Sequence, residues 1–235
     1  MKTILHKSNT RGHANHGWLD SHHTFSFAGY YDPARVHFGA LRVLNDDVVQ
    51  GGMGFGTHPH DNMEIVSIPL QGSLEHKDNT GRQEVIKTHD VQIMSAGTGI
   101  AHSEYNASKT DPVNFLQIWV FPKLRNVTPH YAQKTFNPED RVNQLQTVVA
   151  PEENGAIQIN QDAWFSLGTL KQGFRGDYAI RKNGNGVYAF VIDGDVTISG
   201  QALNKRDGLG VWEADKLTIE AGTDAEVLLI EVPMV

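Results

Sequence analysis

Apolar residues recur along the chain in short runs, and glycine, asparagine or aspartate separates most runs from the next. Within several runs apolar and polar side chains alternate, which is typical of a strand with one buried face. No segment sustains the period of an amphipathic helix, and only residues 161–167 are compatible with a short one. The pattern therefore predicts an all-β protein.

The clearest strands are predicted in the first half of the chain, at residues 39–44, 48–50, 65–70, 74–77, 90–95 and 114–121. Asn45, Asp46 and Asp47 separate the first two of these strands. Because Asn and Asp tolerate turn conformations, we predict a tight turn at these three residues.

A polar segment at residues 122–143, with prolines at 122, 129 and 138, divides the pattern into two similar halves. Such a composition is typical of an inter-domain connection. Residues 186–199 then repeat the strand–turn–strand layout of residues 64–76. We therefore predict two β-barrel domains, residues 1–130 and residues 131–235, related by a degenerate internal repeat.

Composition narrows the classes of function. Of the 235 residues 39% are hydrophobic and 20% charged, as in an ordinary globular protein. The formal net charge of −7, without a basic run, argues against nucleic acid as a partner. The absence of cysteine excludes disulfides and thiolate sites. No segment resembles a signal peptide or a membrane span, so we expect a cytoplasmic protein.

Two short segments carry the candidate chemistry. His58 and His60 are separated by one residue, and so are His102 and Glu104. Side chains two positions apart on a strand project to the same face. If the two strands face each other across a barrel, three imidazoles and one carboxylate converge. Imidazole and carboxylate together suit a transition metal. The alternative is that four polar residues alternate by coincidence.

Two other clusters suggest chemistry less specifically. Glycines 51, 52, 54 and 56 could form a phosphate-binding loop, but such a loop needs a following helix, and Pro59 opposes one. We interpret these glycines as a sharp turn into a strand. The histidines near the N-terminus match no standard metal-site spacing, and we expect loop or packing roles for them: His13, His16, His22 and His23.

The spacings themselves are informative. Gly52, His58, His60 and Glu64 are separated by five, one and three residues, and Gly72 follows. Gly99, His102 and Asn106 are separated by two and three residues. These patterns resemble the two cupin motifs in their order. They depart from many cupins in the position of Glu64, which is one residue early, and in Gly97, where proline is common.

Further stretches surround the motifs: RGHANHGWLD at 11–20, HTFSF at 23–27, YDP at 31–33 and GALRV at 39–43. With the motifs they resemble the pirin family, specifically its bacterial quercetin 2,3-dioxygenase-type members, over the whole chain. The resemblance implies a bicupin, two jelly-roll-like barrels packed together. It also implies one divalent metal ion held by His58, His60, His102 and Glu104, with Glu64 a weaker candidate.

The resemblance further implies a dioxygenase that cleaves a flavonol such as quercetin with dioxygen and releases carbon monoxide. Glu104 would take the proton of the 3-hydroxyl group. Iron is the first candidate metal, with Cu, Ni, Co, Mn or Zn as alternatives. We expect a monomer with a small flavonol-like substrate and no nucleic-acid or membrane partner.

Two other functions stay open. The chain could be a metal- or redox-dependent binding protein that acts on a regulatory partner, as eukaryotic pirins do. It could also catalyse a cupin reaction in which the metal serves as a Lewis acid only.

Two further expectations concern the barrels. The last histidine is His130, so the second barrel cannot hold an imidazole metal site, and we expect a structural role for it. In the first barrel, four apolar residues could line a substrate pocket or form ordinary core: Phe55, Met94, Phe115 and Trp119.

Overall fold

The computed structural model describes residues 1–152 and 154–234, and most of the described elements are strands. The first twelve are β1 (Lys2–His6), β2 (Gly12–Asn15), β3 (Leu19–His23), β4 (Leu41–Val49), β5 (Gly54–His60), β6 (Glu64–Gln71), β7 (Ser73–Asp78), β8 (Gln83–Lys87), β9 (Asp90–Ser95), β10 (Ile100–Asn106), β11 (Val113–Val120) and β12 (His130–Thr135).

The remaining strands are β13 (Leu145–Ala150), β14 (Ile157–Gln158), β15 (Trp164–Leu170), β16 (Arg175–Ala179), β17 (Asn185–Asp193), β18 (Val196–Ile198), β19 (Gln201–Leu203), β20 (Gly208–Trp212), β21 (Lys216–Ala221) and β22 (Ala225–Pro233). Two 3-10 turns, Ser8–Thr10 and Pro138–Arg141, are the helical elements of the described chain. None of its helices is long and apolar enough to span a membrane.

The strands form two barrels, each built from a seven-stranded and a four-stranded sheet. In the first barrel the strand orders are β12-β9-β6-β11-β4-β3-β2 and β5-β10-β7-β8. In the second they are β1-β20-β17-β22-β15-β13-β14 and β16-β21-β18-β19. The predicted all-β, two-barrel cupin architecture is confirmed.

The two barrels exchange strands. The N-terminal strand β1 pairs with β20 of the second barrel. Strand β12, which begins at residue 130, pairs with β9 of the first barrel. The division of the chain at residue 130 stays a prediction.

Side chains on a single strand alternate between two apolar clusters of the core. On β22, Leu228 and Ile230 point into the cluster between the two seven-stranded sheets. Val227 and Leu229 point into the cluster enclosed by the second barrel. Because both faces of the strand are buried, its sequence reads as a continuous apolar run. Each such side chain contributes about 1.5–3 kcal/mol through burial.

The interiors of the two barrels differ. One large apolar cluster fills the second barrel. The described apolar core of the first is divided into two small clusters, one around Phe115 and one around Met94. Polar side chains on inward positions of β6, β10 and β11 are buried beside them: Ser67, Glu104 and Gln117. This polar interior is where the candidate ligands lie.

Two predictions about local structure are wrong. Residues 45–47 do not form a turn but lie in the middle of the nine-residue strand β4, where all three are buried. Polar partners on other strands stabilise them there, such as the buried Ser21 and the half-buried Asn114. Residues 161–167 do not form a helix, because pairing with β13 and β22 draws β15 into the sheet from Trp164.

Candidate metal centre

The candidate ligands lie on two hydrogen-bonded neighbours, not on strands that face each other across the barrel. In the antiparallel pair β5–β10, His58 is opposite His102 and His60 is opposite Ile100. A bulge follows, so that Phe55 rather than Gly56 is opposite Glu104. Because a bulge shifts the alternation by one residue, Phe55 and His58 can both face the interior.

The three imidazoles converge. One ligand atom from each of His58, His60 and His102 lies within 4.8 Å of the others. The ring centroids are 4.5 Å apart for His58 and His102, 4.8 Å for His58 and His60, and 4.9 Å for His60 and His102. Such a group can hold a divalent transition metal.

The hydrogen bonds of the rings fit metal binding. His58 Nδ1 lies 2.8 Å from the carbonyl oxygen of Gly56, and a carbonyl only accepts, so Nδ1 carries the proton. The lone pair of His58 is therefore on Nε2. His102 Nε2 is buried and has no hydrogen-bond partner among residues 1–152 and 154–234. An orphaned buried nitrogen beside two other imidazoles is the feature that a bound cation would explain.

Burial keeps the imidazoles of His60 and His102 neutral. Burial lowers the pKa of His102 to about 2, with smaller contributions from the neighbouring His58 and His60. Burial, followed by His58, lowers the pKa of His60 to about 4. At neutral pH both rings therefore have a lone pair to donate to a cation.

Glu104 lies in the same wall of the barrel but outside the group of converging imidazole atoms. It is 2% exposed, and its oxygens accept hydrogen bonds from Ser67 Oγ (3.1 Å) and Gln117 Nε2 (2.8 Å). Burial raises the pKa of Glu104. Because a carboxylate has about four lone-pair sites, these two bonds leave acceptor capacity for a cation or a substrate proton.

A partly open cavity of about 220 Å³ lies beside His58. Its wall is mostly apolar, with several polar side chains: Ala14, His16, Leu19, Ser21, His23, Phe27, Ala28, Asn45, Asp47, Phe55, His58, Glu104, Gln117 and Trp119. A wider cleft of about 760 Å³ lies on the other side and includes His60. His58 and Trp119 line both spaces. A cavity of mixed polarity beside possible metal ligands is suited to a small aromatic substrate.

A polar chain in this cavity could not be predicted from the sequence. Ser21 Oγ donates to the Asp47 carboxylate and lies 2.8 Å from His23 Nε2. Burial raises the pKa of Asp47 to about 7. These residues belong to β3 and β4, and no motif marks them.

Of the other candidate site residues, some lie at the cavity and others lie outside the site. Glu64 lies away from the imidazole group, and its Oε2 accepts from Ser95 Oγ (2.6 Å) and from the backbone N–H of Asn160 (3.1 Å). Of the four possible pocket residues, Phe55 and Trp119 line the cavity, whereas Met94 and Phe115 are fully buried core.

The N-terminal histidines have two environments. His16 and His23 line the cavity, which was not predicted. His13 and His22 stack on the opposite face with ring centroids 4.5 Å apart, and His13 Nε2 lies 2.8 Å from Asp20 Oδ1. With Asp20, these two histidines form a second group of possible metal ligands, whose atoms lie within 4.8 Å of one another.

Comparison with known proteins gives consistent matches over both barrels. A family model described as Pirin matches residues 5–120, and one described as Quercetinase C-terminal cupin domain matches residues 147–232. A protein of Escherichia coli (strain K12) named quercetin 2,3-dioxygenase is 46% identical over 232 residues, covering 98% of this chain and 99% of that protein.

Two further proteins match nearly the whole of this chain. A pirin-like protein of Caulobacter vibrioides is 40% identical over 222 residues, covering 94% of this chain and 95% of that protein. The crystal structure of the bacterial pirin YhhW from Escherichia coli in complex with nickel(II) superimposes with a TM-score of 0.94 at 45% identity, with both chains fully covered.

Proposed function

This chain belongs to the pirin family, and from that membership we propose that it is a metal-dependent quercetin 2,3-dioxygenase. It would cleave a flavonol such as quercetin with dioxygen and release carbon monoxide. One observation carries the proposal: the imidazoles of His58, His60 and His102 converge, and His58 also lines a largely apolar cavity.

The proposed ligands are the three imidazoles and one carboxylate oxygen of Glu104. His58 and His102 would bind through Nε2, the nitrogen that the hydrogen bonding of each ring leaves free. Support for Glu104 comes from its place two residues after His102 and from the cavity that it shares with His58. Iron is our first choice, and nickel is supported by the nickel complex of the E. coli pirin.

A divalent cation at this position would supply Lewis-acid polarisation of the substrate and, if redox-active, electron transfer. The protein residues supply orientation and proton transfer. Glu104 accepts the proton of the flavonol 3-hydroxyl group, and Ser67 and Gln117 hold its carboxylate in place. Phe55 and Trp119 provide apolar surface for a planar ring system and limit the access of water.

The proposal is tested by metal analysis of protein purified without chelators, combined with an aerobic flavonol assay. We expect loss of the flavonol absorption band, uptake of dioxygen and release of carbon monoxide together. Absence of turnover with Fe, Cu, Ni, Co and Mn would refute the dioxygenase assignment. Equal turnover without dioxygen would instead indicate Lewis-acid chemistry alone.

A further inference from the structure

A second histidine–aspartate pair lies behind His102. Strand β7 is the other neighbour of β10, and it places Asp78 opposite His102 and His76 opposite Glu104. The side chains of His76 and Asp78 are 0% and 1% exposed. His76 Nε2 lies 3.1 Å from Asp78 Oδ2, and His76 Nδ1 lies 3.4 Å from His102 Nδ1.

The positions of the protons in this chain of contacts can be assigned by starting from Asp78, where the direction of the hydrogen bond is fixed. A carboxylate only accepts, so His76 Nε2 donates to Asp78. A neutral imidazole has one donor and one acceptor, and His76 Nδ1 is therefore the acceptor. His102 Nδ1 must then donate to it. The lone pair of His102 is left on Nε2, the buried nitrogen that has no partner in the described part of the chain.

We infer that Asp78 and His76 are positioning residues of the metal centre, which fix the tautomer and ring orientation of His102 so that Nε2 faces the cation. The inference rests on the proposed metal centre. Hydrogen bonds behind a ligating histidine generally have this effect, and their loss typically costs about 10- to 100-fold in metal affinity.

A packing role is the competing explanation, because the His76 ring also lies against Tyr131, with centroids 4.8 Å apart. Packing alone would not depend on which nitrogen carries the proton. The two explanations therefore differ in whether the tautomer of His102 depends on Asp78 and His76.

Asp78→Asn separates them, because the orientation of the new amide is fixed. Asp78 Oδ1 accepts from the backbone N–H of Thr80 (2.9 Å) and of Arg82 (3.4 Å), so the amide oxygen of the variant stays there. The amide N–H₂ group then faces His76 Nε2 and must donate to it. This reverses the tautomer of His76 and, in turn, that of His102, so that a proton occupies Nε2.

The first readout uses metal-free protein and does not depend on catalysis. Long-range nitrogen–proton NMR spectra should show the proton of His102 on Nδ1 in the wild type and on Nε2 in Asp78→Asn. The second readout is the dissociation constant for Ni²⁺, which should rise about 10- to 100-fold. Wild-type tautomer and wild-type affinity in Asp78→Asn would each overturn the inference.

Further variants keep the test decisive if Asp78→Asn does not fold. His76→Gln retains an amide oxygen that can accept from His102, whereas His76→Leu offers no acceptor. We expect Ni²⁺ affinity close to wild type for His76→Gln and a loss of about 10- to 100-fold for His76→Leu. Equal affinities of the two variants would favour packing.

Asp177→Asn is the control, since it changes a carboxylate of the second barrel that accepts a hydrogen bond from Thr218 Oγ1 (2.8 Å), and it should leave Ni²⁺ affinity unchanged. Failure of the proposed metal centre is distinguishable from failure of this inference. A wild-type protein that binds no Ni²⁺ would remove the centre, while the NMR spectra would still show whether Asp78 sets the tautomer of His102.

Discussion

Glu104 is the residue on which the proposed chemistry depends most directly. Its oxygens are held by Ser67 and Gln117, so an amide at this position can keep part of the packing while it loses basicity. We expect Glu104→Gln to retain metal at reduced affinity and to lower turnover roughly 10²- to 10⁴-fold. Metal titration and steady-state flavonol kinetics measure the two effects separately.

Glu64→Gln is the control for this substitution, because Glu64 is an equally buried carboxyl group that does not line the cavity. Turnover per folded molecule should stay near the wild-type value. Undiminished turnover in Glu104→Gln would remove Glu104 as the base.

Asp47 gives the stability of the protein a pH dependence. Burial raises its pKa in the folded state to about 7, above the ordinary value of 3.8 for an aspartate. The folded state therefore binds the proton of the Asp47 carboxyl group more tightly than the unfolded state does. The stability that this protonation provides is fully present below about pH 4 and is lost as the pH rises towards 7. Asp47→Asn does not titrate, so its stability relative to the wild type should increase by roughly 2–4 kcal/mol between pH 4 and pH 8.

Urea unfolding of both proteins at the two pH values checks this expectation. A constant difference between Asp47→Asn and the wild type across this pH range would contradict the raised pKa of Asp47.

At the scale of elements, the β5–β10 pair has to bring two strands into close contact beside its bulge. A Cβ atom on Gly54 would lie 2.4 Å from the carbonyl oxygen of Glu104 and 2.5 Å from the Cα atom of Tyr105. Gly54→Ala should therefore push the strands apart, lower stability by about 1–3 kcal/mol and weaken metal binding.

Gly56→Ala is the matched control on the same strand, because the nearest atom to its Cβ would be the Tyr105 hydroxyl oxygen at 3.9 Å. Thermal unfolding and Ni²⁺ titration of both variants provide the comparison. Similar losses in the two would show that close strand contact at Gly54 is not what positions the ligands.

At the scale of the whole molecule, the barrels are joined by the apolar core between their seven-stranded sheets and by the exchanged strands β1 and β12. Leu228 is fully buried in that core. We expect Leu228→Ala to lower the free energy of unfolding by about 2–5 kcal/mol and to destabilise both barrels together.

Unfolding followed by far-ultraviolet circular dichroism and by tryptophan fluorescence should give one coincident transition in both proteins. Leu124→Ala, at a residue that is 60% exposed, is the control and should change stability by less than about 0.5 kcal/mol. Two separate transitions in the wild type would show that the barrels unfold independently.

The sequence by itself determined most strands of the first barrel, the two similar halves and the pairs of candidate ligands. These features follow from local alternation, because two residues that are two positions apart on a regular strand share a face in any fold. The cupin spacing and the pirin-like stretches add the family, which the comparisons confirm.

Only the tertiary structure decided which strands are neighbours. It placed His58 directly opposite His102, set the bulge before Glu104, and brought Asp78 and His76 behind the centre. Residues 45–47, which were expected to form a turn, lie in a buried segment of strand β4 that includes Asp47. The physical reason is that register, bulges and buried polar contacts depend on packing between segments far apart in the chain, whereas alternation depends only on the backbone of one strand.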